Sequence, residues 1–178
     1  MDEQLELNCW SLPPPSMEGR LMERNAEGPN IHFPPPLVFV AGLALGVALD
    51  RLFDLPSLGL EHVLRDGVGG LFLLGGLLVD IAGAGLFLRR RTAIIPFKPA
   101  SCLVTSGIYA WTRNPMYLGM ALIYAGMALI LNSLAALVAL PVVLVIIGTQ
   151  IIAREEAYLE RAFGSSYIAY KCRVRRWI

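Results

Sequence analysis

Four apolar runs separated by polar passages lay out this chain, at about 36–52, 68–88, 115–131 and 134–153. A helix needs about 20 apolar residues to cross a hydrocarbon layer ~30 Å thick. The second and fourth runs meet that length, whereas the first must tilt, draw on Pro34-Pro35-Pro36, or snorkel Arg51 to the interface. Gly42 and Gly46 fall four apart in the first run and predict a bare helix face that another helix can approach closely. The second run is rich in glycine, at 69, 70, 75, 76, 83 and 85. Pro115 opens the third run at the first helical position, where its missing N–H is tolerated, with Asn114 as the cap. Asn132-Ser133 breaks the third run from the fourth, which predicts a tight antiparallel hairpin with Ser133 capping the second arm. Pro141 predicts a kink in that arm.

The polar passages complete the layout. Residues 1–33 are mildly acidic, contain Pro13-Pro14-Pro15 and have no helical period, so they read as a disordered tail without the basic start of a secretory signal. Residues 50–66 read as a mixed-charge loop containing His62. Beyond the fourth run, residues 153–163 continue as an amphipathic helix with Ala157, Tyr158, Ala162 and Phe163 on one face and Gly164 just past its end. Ser165 starts a short helix holding Tyr167 and Tyr170, followed by the basic, aromatic end Arg173-Val174-Arg175-Arg176-Trp177-Ile178, which suits an anchor on anionic lipid. The predicted architecture is all-α: an integral membrane bundle of about four transmembrane helices over 34–178, a hairpin of spans 3 and 4, and a helical C-terminal segment, 154–178.

Composition agrees, since 56% of the 178 residues are hydrophobic. A net charge of +1 argues against nucleic acid as a partner, and its distribution matters more than its sum. Arg89, Arg90, Arg91, Lys98 and Arg113 lie in one connecting passage, and Arg154, Arg161, Lys171, Arg173, Arg175 and Arg176 in the tail. Only Arg51 and Arg65 face them from the opposite loop, which places the basic passages, and with an even span number both termini, in the cytoplasm. Cys9, Cys102 and Cys172 are scattered, fit no metal-ligand spacing and read as reduced thiols.

The candidate chemistry gathers in two places on that one face. Residues 103–119, LVTSGIYAWTRNPMYLG, open a helix whose free N–H groups stand beside Tyr109, Arg113 and Tyr117. Glu155 and Glu156 leave the fourth span, where two adjacent carboxylates call for a cation, either Arg113 across the hairpin or a positively charged ligand. Asp80, inside the second run, reads first as an interhelical hydrogen bond and second as a substrate or cofactor contact.

These passages resemble a known family. Thr105-x-Gly107-x-Tyr109, Arg113-Asn114-Pro115-x-Tyr117-x-Gly119, and Glu155-Glu156-x-x-Leu159-x-x-x-Phe163-Gly164-x-x-Tyr167-x-x-Tyr170 with a terminal Arg176-Trp177 are similar to the membrane methyltransferases that include isoprenylcysteine carboxyl methyltransferases and phospholipid N-methyltransferases. The likeness covers about 103–178, and the prolines before the first span resemble small bacterial members. It implies S-adenosylmethionine bound at the cytoplasmic face of a bacterial inner-membrane protein, with Thr105, Gly107, Tyr109, Asn114, Pro115, Tyr117, Gly119, Glu155 and Glu156 around it. Where many members carry histidine this chain has Asn114, which cannot shuttle a proton and so reads as a cap and hydrogen-bond partner.

Residue chemistry fits that implication. A sulfonium, an ammonium and a carboxylate require anions, N–H donors and aromatic faces, which Glu155/Glu156, the helix start at Pro115, and Tyr109, Trp111 and Tyr117 supply in turn. The acceptor implied is a hydrophobic or lipid-like molecule entering sideways beside the glycine-rich span. Carboxyl O-methylation is the leading expectation, with Arg113, Arg154 or Arg173 orienting an acid that needs no general base. The alternatives are N-methylation, with a glutamate such as Glu156 taking the proton, an NADPH-dependent membrane reductase, and a non-catalytic binding protein.

Overall fold

The computed structural model describes residues 34–89 and 103–178, and every regular element among them is helical. Helix α1 is Pro35–Leu52, α2 His62–Arg89, α3 Pro115–Ile130 and α4 Leu134–Ile146. A π-helical stretch, Ile147–Ile152, carries α4 without interruption into α5, Ala153–Phe163, and α6 is Ser165–Arg173. A 3₁₀ turn, Gly107–Ala110, lies just before α3. Among the described residues, three helices are long and apolar enough to cross a membrane: α1, α2 and the continuous rod Leu134–Phe163. Helix α3 is apolar but only 16 residues long. The expected disordered tail, together with Cys9, Arg90, Arg91, Lys98 and Cys102, lies outside the described residues.

Helices in lipid gain little from burying apolar surface, so close packing depends on small side chains. The α2–α3 pair follows this rule. A methyl built on Gly69 would come within 2.9 Å of the Gly126 carbonyl, and one on Gly76 within 2.5 Å of the Gly119 carbonyl. Gly83 meets Met116 and Pro115 in the same way, so an antiparallel seam recurs at every seventh residue of α2. Gly70, Gly75 and Gly85 face open space, among exposed Leu71, Leu74, Leu77, Leu78 and Ile81. Gly42 and Gly46 do what their spacing predicts, seating α1 against Val143 and the backbone of Ala136. Phe39, Tyr124, Ala128, Ala136, Val143 and Ile147 form the core where α1, α3 and α4 meet.

Several expectations change. His62–Asp66 begins α2 rather than belonging to the loop. Ser133 does cap α4, accepting from the Ala136 N–H at 3.1 Å, but an unforeseen partner fixes the turn. Asp50, at the end of α1, accepts from the Ala135 N–H at 3.1 Å and from the Ser133 hydroxyl, which ties α1 to the hairpin. Helix α4 runs helical through Pro141, and the departure from α geometry falls at Ile147–Ile152 instead. In α5, Ala157 is exposed, while Glu156 and Tyr158 are buried and Leu159 and Phe163 pack against Tyr167, Tyr170 and Val174. Gly164 takes φ +55° at the α5–α6 corner, a conformation that costs a side chain and suits glycine.

Candidate active site

The linker before α3 and the end of the chain are stitched together. Val174 is extended, which ends α6 and turns the chain back towards α3. The Arg113 N–H then donates to the Arg175 carbonyl at 3.1 Å. The Arg176 carbonyl accepts from Asn114 Nδ2 at 2.9 Å and from the Thr112 hydroxyl at 3.3 Å. Asn114 therefore occupies the cap position without capping. Its side chain holds the C-terminal segment, and the Thr112 hydroxyl accepts from the Asn114 N–H at 3.2 Å. Trp177, packed against the main core, fixes the same segment from the other side.

This stitching centres on Glu156, which is buried. Arg176 reaches it with two donors, Nη2 to Oε2 at 2.5 Å and Nε to Oε1 at 3.1 Å. Arg113 Nη1 forms an ion pair with Oε1 at 3.1 Å but lacks the alignment of a hydrogen bond, and its buried Nε and Nη1 donors have no hydrogen-bond partner among the described residues. A guanidinium only 9% exposed with unfilled donors is a costly arrangement in a folded chain, and it invites an anion. Glu155 points elsewhere, accepting from the Tyr117 hydroxyl at 2.7 Å. Tyr109 is buried against Phe87, with ring centroids 5.4 Å apart, and its carbonyl accepts from the Tyr170 hydroxyl at 2.7 Å.

The electrostatics follow from burial and from this crowd of carboxylates. Burial first, then Tyr170, Glu155 and Asp80, push the Tyr109 phenol above its ordinary range. Burial and Glu156 push Tyr167 up to about 12, with Arg113 pulling the other way. The hydrogen bonds that Arg176 donates to Glu156 hold its guanidinium more firmly protonated still.

The sequence-predicted residues divide by place. Tyr109, Arg113, Asn114, Pro115, Tyr117, Glu155 and Glu156 are gathered around the junction of linker, α5 and C-terminal segment. Thr105 lies half-buried on the linker. Gly107 takes φ +61°, and a methyl there would strike Leu86, so it seats the linker on α2. Gly119 is on the α2 seam, under the Asp80 carboxyl and the Gly76 carbonyl. Trp111 is 82% exposed and presents no aromatic face to the site. Arg173 is exposed at the end of α6, and Arg176, not singled out as a site residue from the sequence, is the tail arginine that pairs with Glu156. The terminal Arg-Trp pair was the available signal, with Trp177 as the anchor that aims Arg176 inward.

A helical membrane protein with a polar site of tyrosines, carboxylates and an underfilled arginine at one end of its glycine seam is the class these features define. The chain belongs to the phospholipid methyltransferase family, whose model matches residues 67–166. It is also similar to an uncharacterized protein of Haemophilus influenzae (strain ATCC 51907 / DSM 11121 / KW20 / Rd), 41% identical over 63 residues that make up 35% of this chain and 100% of that protein. No solved structure matches it.

Proposed function

We propose that this protein is an S-adenosylmethionine-dependent methyltransferase that acts on a lipid-like acceptor at the membrane. In this reading the bundle has four spans, α3 being the short one, and lies in a bacterial inner membrane with its site and both termini in the cytoplasm. The exposed basic residues Arg154, Arg161, Lys171, Arg173 and Arg175 on that end support the orientation.

The observation that carries the reading is the donor set at the junction. Unfilled Arg113 Nε and Nη1 suit a carboxylate, Glu155 beside Tyr117 suits a cation, and the buried Tyr109 and Tyr117 rings supply aromatic surface. These are the groups that S-adenosylmethionine presents, and when bound it supplies a methyl group activated on a sulfonium. The chain's own part is placement. Glu156, clamped by Arg176, holds Arg113 in position, while the Tyr117–Glu155 bond fixes a carboxylate where α3 meets α5. Rigid placement of donor and acceptor in line can lower a displacement barrier by about 7–11 kcal/mol without a dedicated acid or base.

Calorimetry on the full chain in detergent tests the reading. We expect binding of S-adenosylmethionine and none of NADPH, and Tyr117→Phe and Glu155→Gln each to weaken the binding by about tenfold, as loss of one charge-assisted bond entails. Binding of NADPH alone, or of neither nucleotide, overturns the proposal. Wild-type affinity in both variants removes this pair from the site.

A further inference from the structure

Trp111 is left without a role by the site. It is 82% exposed, although it sits on the linker that carries Tyr109 and Arg113 into the junction. Its neighbourhood is fixed by the stitching between that linker and the C-terminal segment. The Arg113 N–H donates to the Arg175 carbonyl at 3.1 Å and Asn114 Nδ2 to the Arg176 carbonyl at 2.9 Å, so the two segments run beside each other. Val174 is extended, and successive side chains of an extended chain point to opposite sides. Val174 is accordingly buried, Arg175 is exposed, and Arg176 turns back to Glu156. Beyond them Trp177 packs against the core of the bundle, while Ile178 is 79% exposed. The segment is thus a strap with two sides. The inner one clamps the site, and the outer one carries Arg175 and Ile178 along the linker of Trp111.

The outer side is basic and its charge is not balanced from within. Each carboxylate of α5 is already engaged, Glu155 by Tyr117, Glu156 by Arg176 and Glu160 by Lys171. Arg161, Arg173 and Arg175 are exposed, and no ion pair among the described residues holds them. Trp177 ties the strap to the core shared by α1, α3 and the long rod, so these groups stand at the rim of the apolar bundle. An indole and an isoleucine turned to water there forgo apolar burial. The headgroup level of a bilayer accepts the apolar body of an indole together with its polar N–H. Lipid phosphates at the same level supply the negative charge that the unpaired arginines lack.

We propose that Trp111, Arg173, Arg175 and Ile178 form a docking surface for anionic phospholipid headgroups, separate from the places of cofactor and acceptor. Lipid held there lies against the outer side of the strap whose inner side delivers Arg176 to Glu156. This surface requires only that the helices cross a bilayer, whatever chemistry the site performs.

The full chain is reconstituted in nanodiscs of phosphatidylcholine and phosphatidylglycerol at one fixed ratio, with bromine on the upper acyl chain of either one lipid or the other. Bromine quenches tryptophan at contact range, and the difference between wild type and Trp111→Phe isolates the Trp111 signal. Each arginine near an anionic surface favours it about fivefold at low salt, so brominated phosphatidylglycerol should quench Trp111 at least about twofold more strongly than brominated phosphatidylcholine. Added salt should shrink the difference, because exposed charges are screened. In Arg173→Gln/Arg175→Gln the two lipids should quench alike, whereas Arg173→Lys/Arg175→Lys, which keeps the charge, should keep the preference. Equal quenching by both lipids in the wild type, or a preference that survives Arg173→Gln/Arg175→Gln, overturns the proposal. So does a Trp111 that neither lipid quenches, as when water or another protein chain covers it.

Discussion

Gly75 and Gly76 are adjacent in the chain, yet replacing each with alanine should have opposite effects. At Gly76 the added methyl would lie 2.5 Å from the Gly119 carbonyl and 2.9 Å from the Ile123 N–H, both rigid backbone groups. No rotamer change relieves that, so α2 and α3 must part along the seam. Forced overpacking of this kind costs about 1–3 kcal/mol. For a chain of this size each kcal/mol moves the midpoint of thermal unfolding by roughly 2–4 °C, so a drop of several degrees is expected. At Gly75 nothing lies within 4 Å, and alanine should be neutral or stabilise by up to about 1 kcal/mol through helix propensity. The assay is thermal unfolding of both variants in one detergent, followed by tryptophan fluorescence. Equal midpoints for Gly75→Ala and Gly76→Ala, or a lower one for Gly75→Ala, would refute the glycine seam as the contact that sets the α2–α3 distance.

Further outcomes follow from the same geometry. Arg113→Ala should cost up to about 3 kcal/mol in a denaturant titration, the low end for breaking a buried pair, because Arg176 still holds Glu156. Arg176→Ala, whose side chain is 41% exposed and screened by solvent, should cost under about 1 kcal/mol, and the reverse ranking would contradict the burial argument. Asp50→Ala should lose about 1–2 kcal/mol by removing the acceptor that joins α1 to the Ser133 cap, with Asp50→Asn restoring part of it. Unchanged hydrogen exchange at the Ala135 amide in Asp50→Ala would dismiss that role.

The sequence by itself determined where α3 and α4 begin and where α5 ends. Pro115, Ser133 and Gly164 act through local backbone chemistry, and the structure keeps all three at helix boundaries. Gly42 and Gly46 were legible because a four-residue spacing always shares one face. Glu155, Glu156, Arg113 and Tyr117 were legible as candidates because polar groups stand out against an apolar background, and Arg113 was one of the two partners expected for the glutamates, the other being a cationic ligand.

Tertiary structure decided which faces turn inward. In a soluble helix the polar side reveals the buried one, but in lipid the outer surface is as apolar as the inner, so hydropathy could not separate Gly76 from Gly75. The same ambiguity left open which way Asp80 turns, and its Oδ1, without a hydrogen-bond partner among the described residues, lies over Gly119. It was also only the return of the chain after Val174, anchored by Trp177, that brought Arg176 to Glu156. A contact between residues twenty positions apart follows the path of the backbone through space, and no local pattern encodes that path.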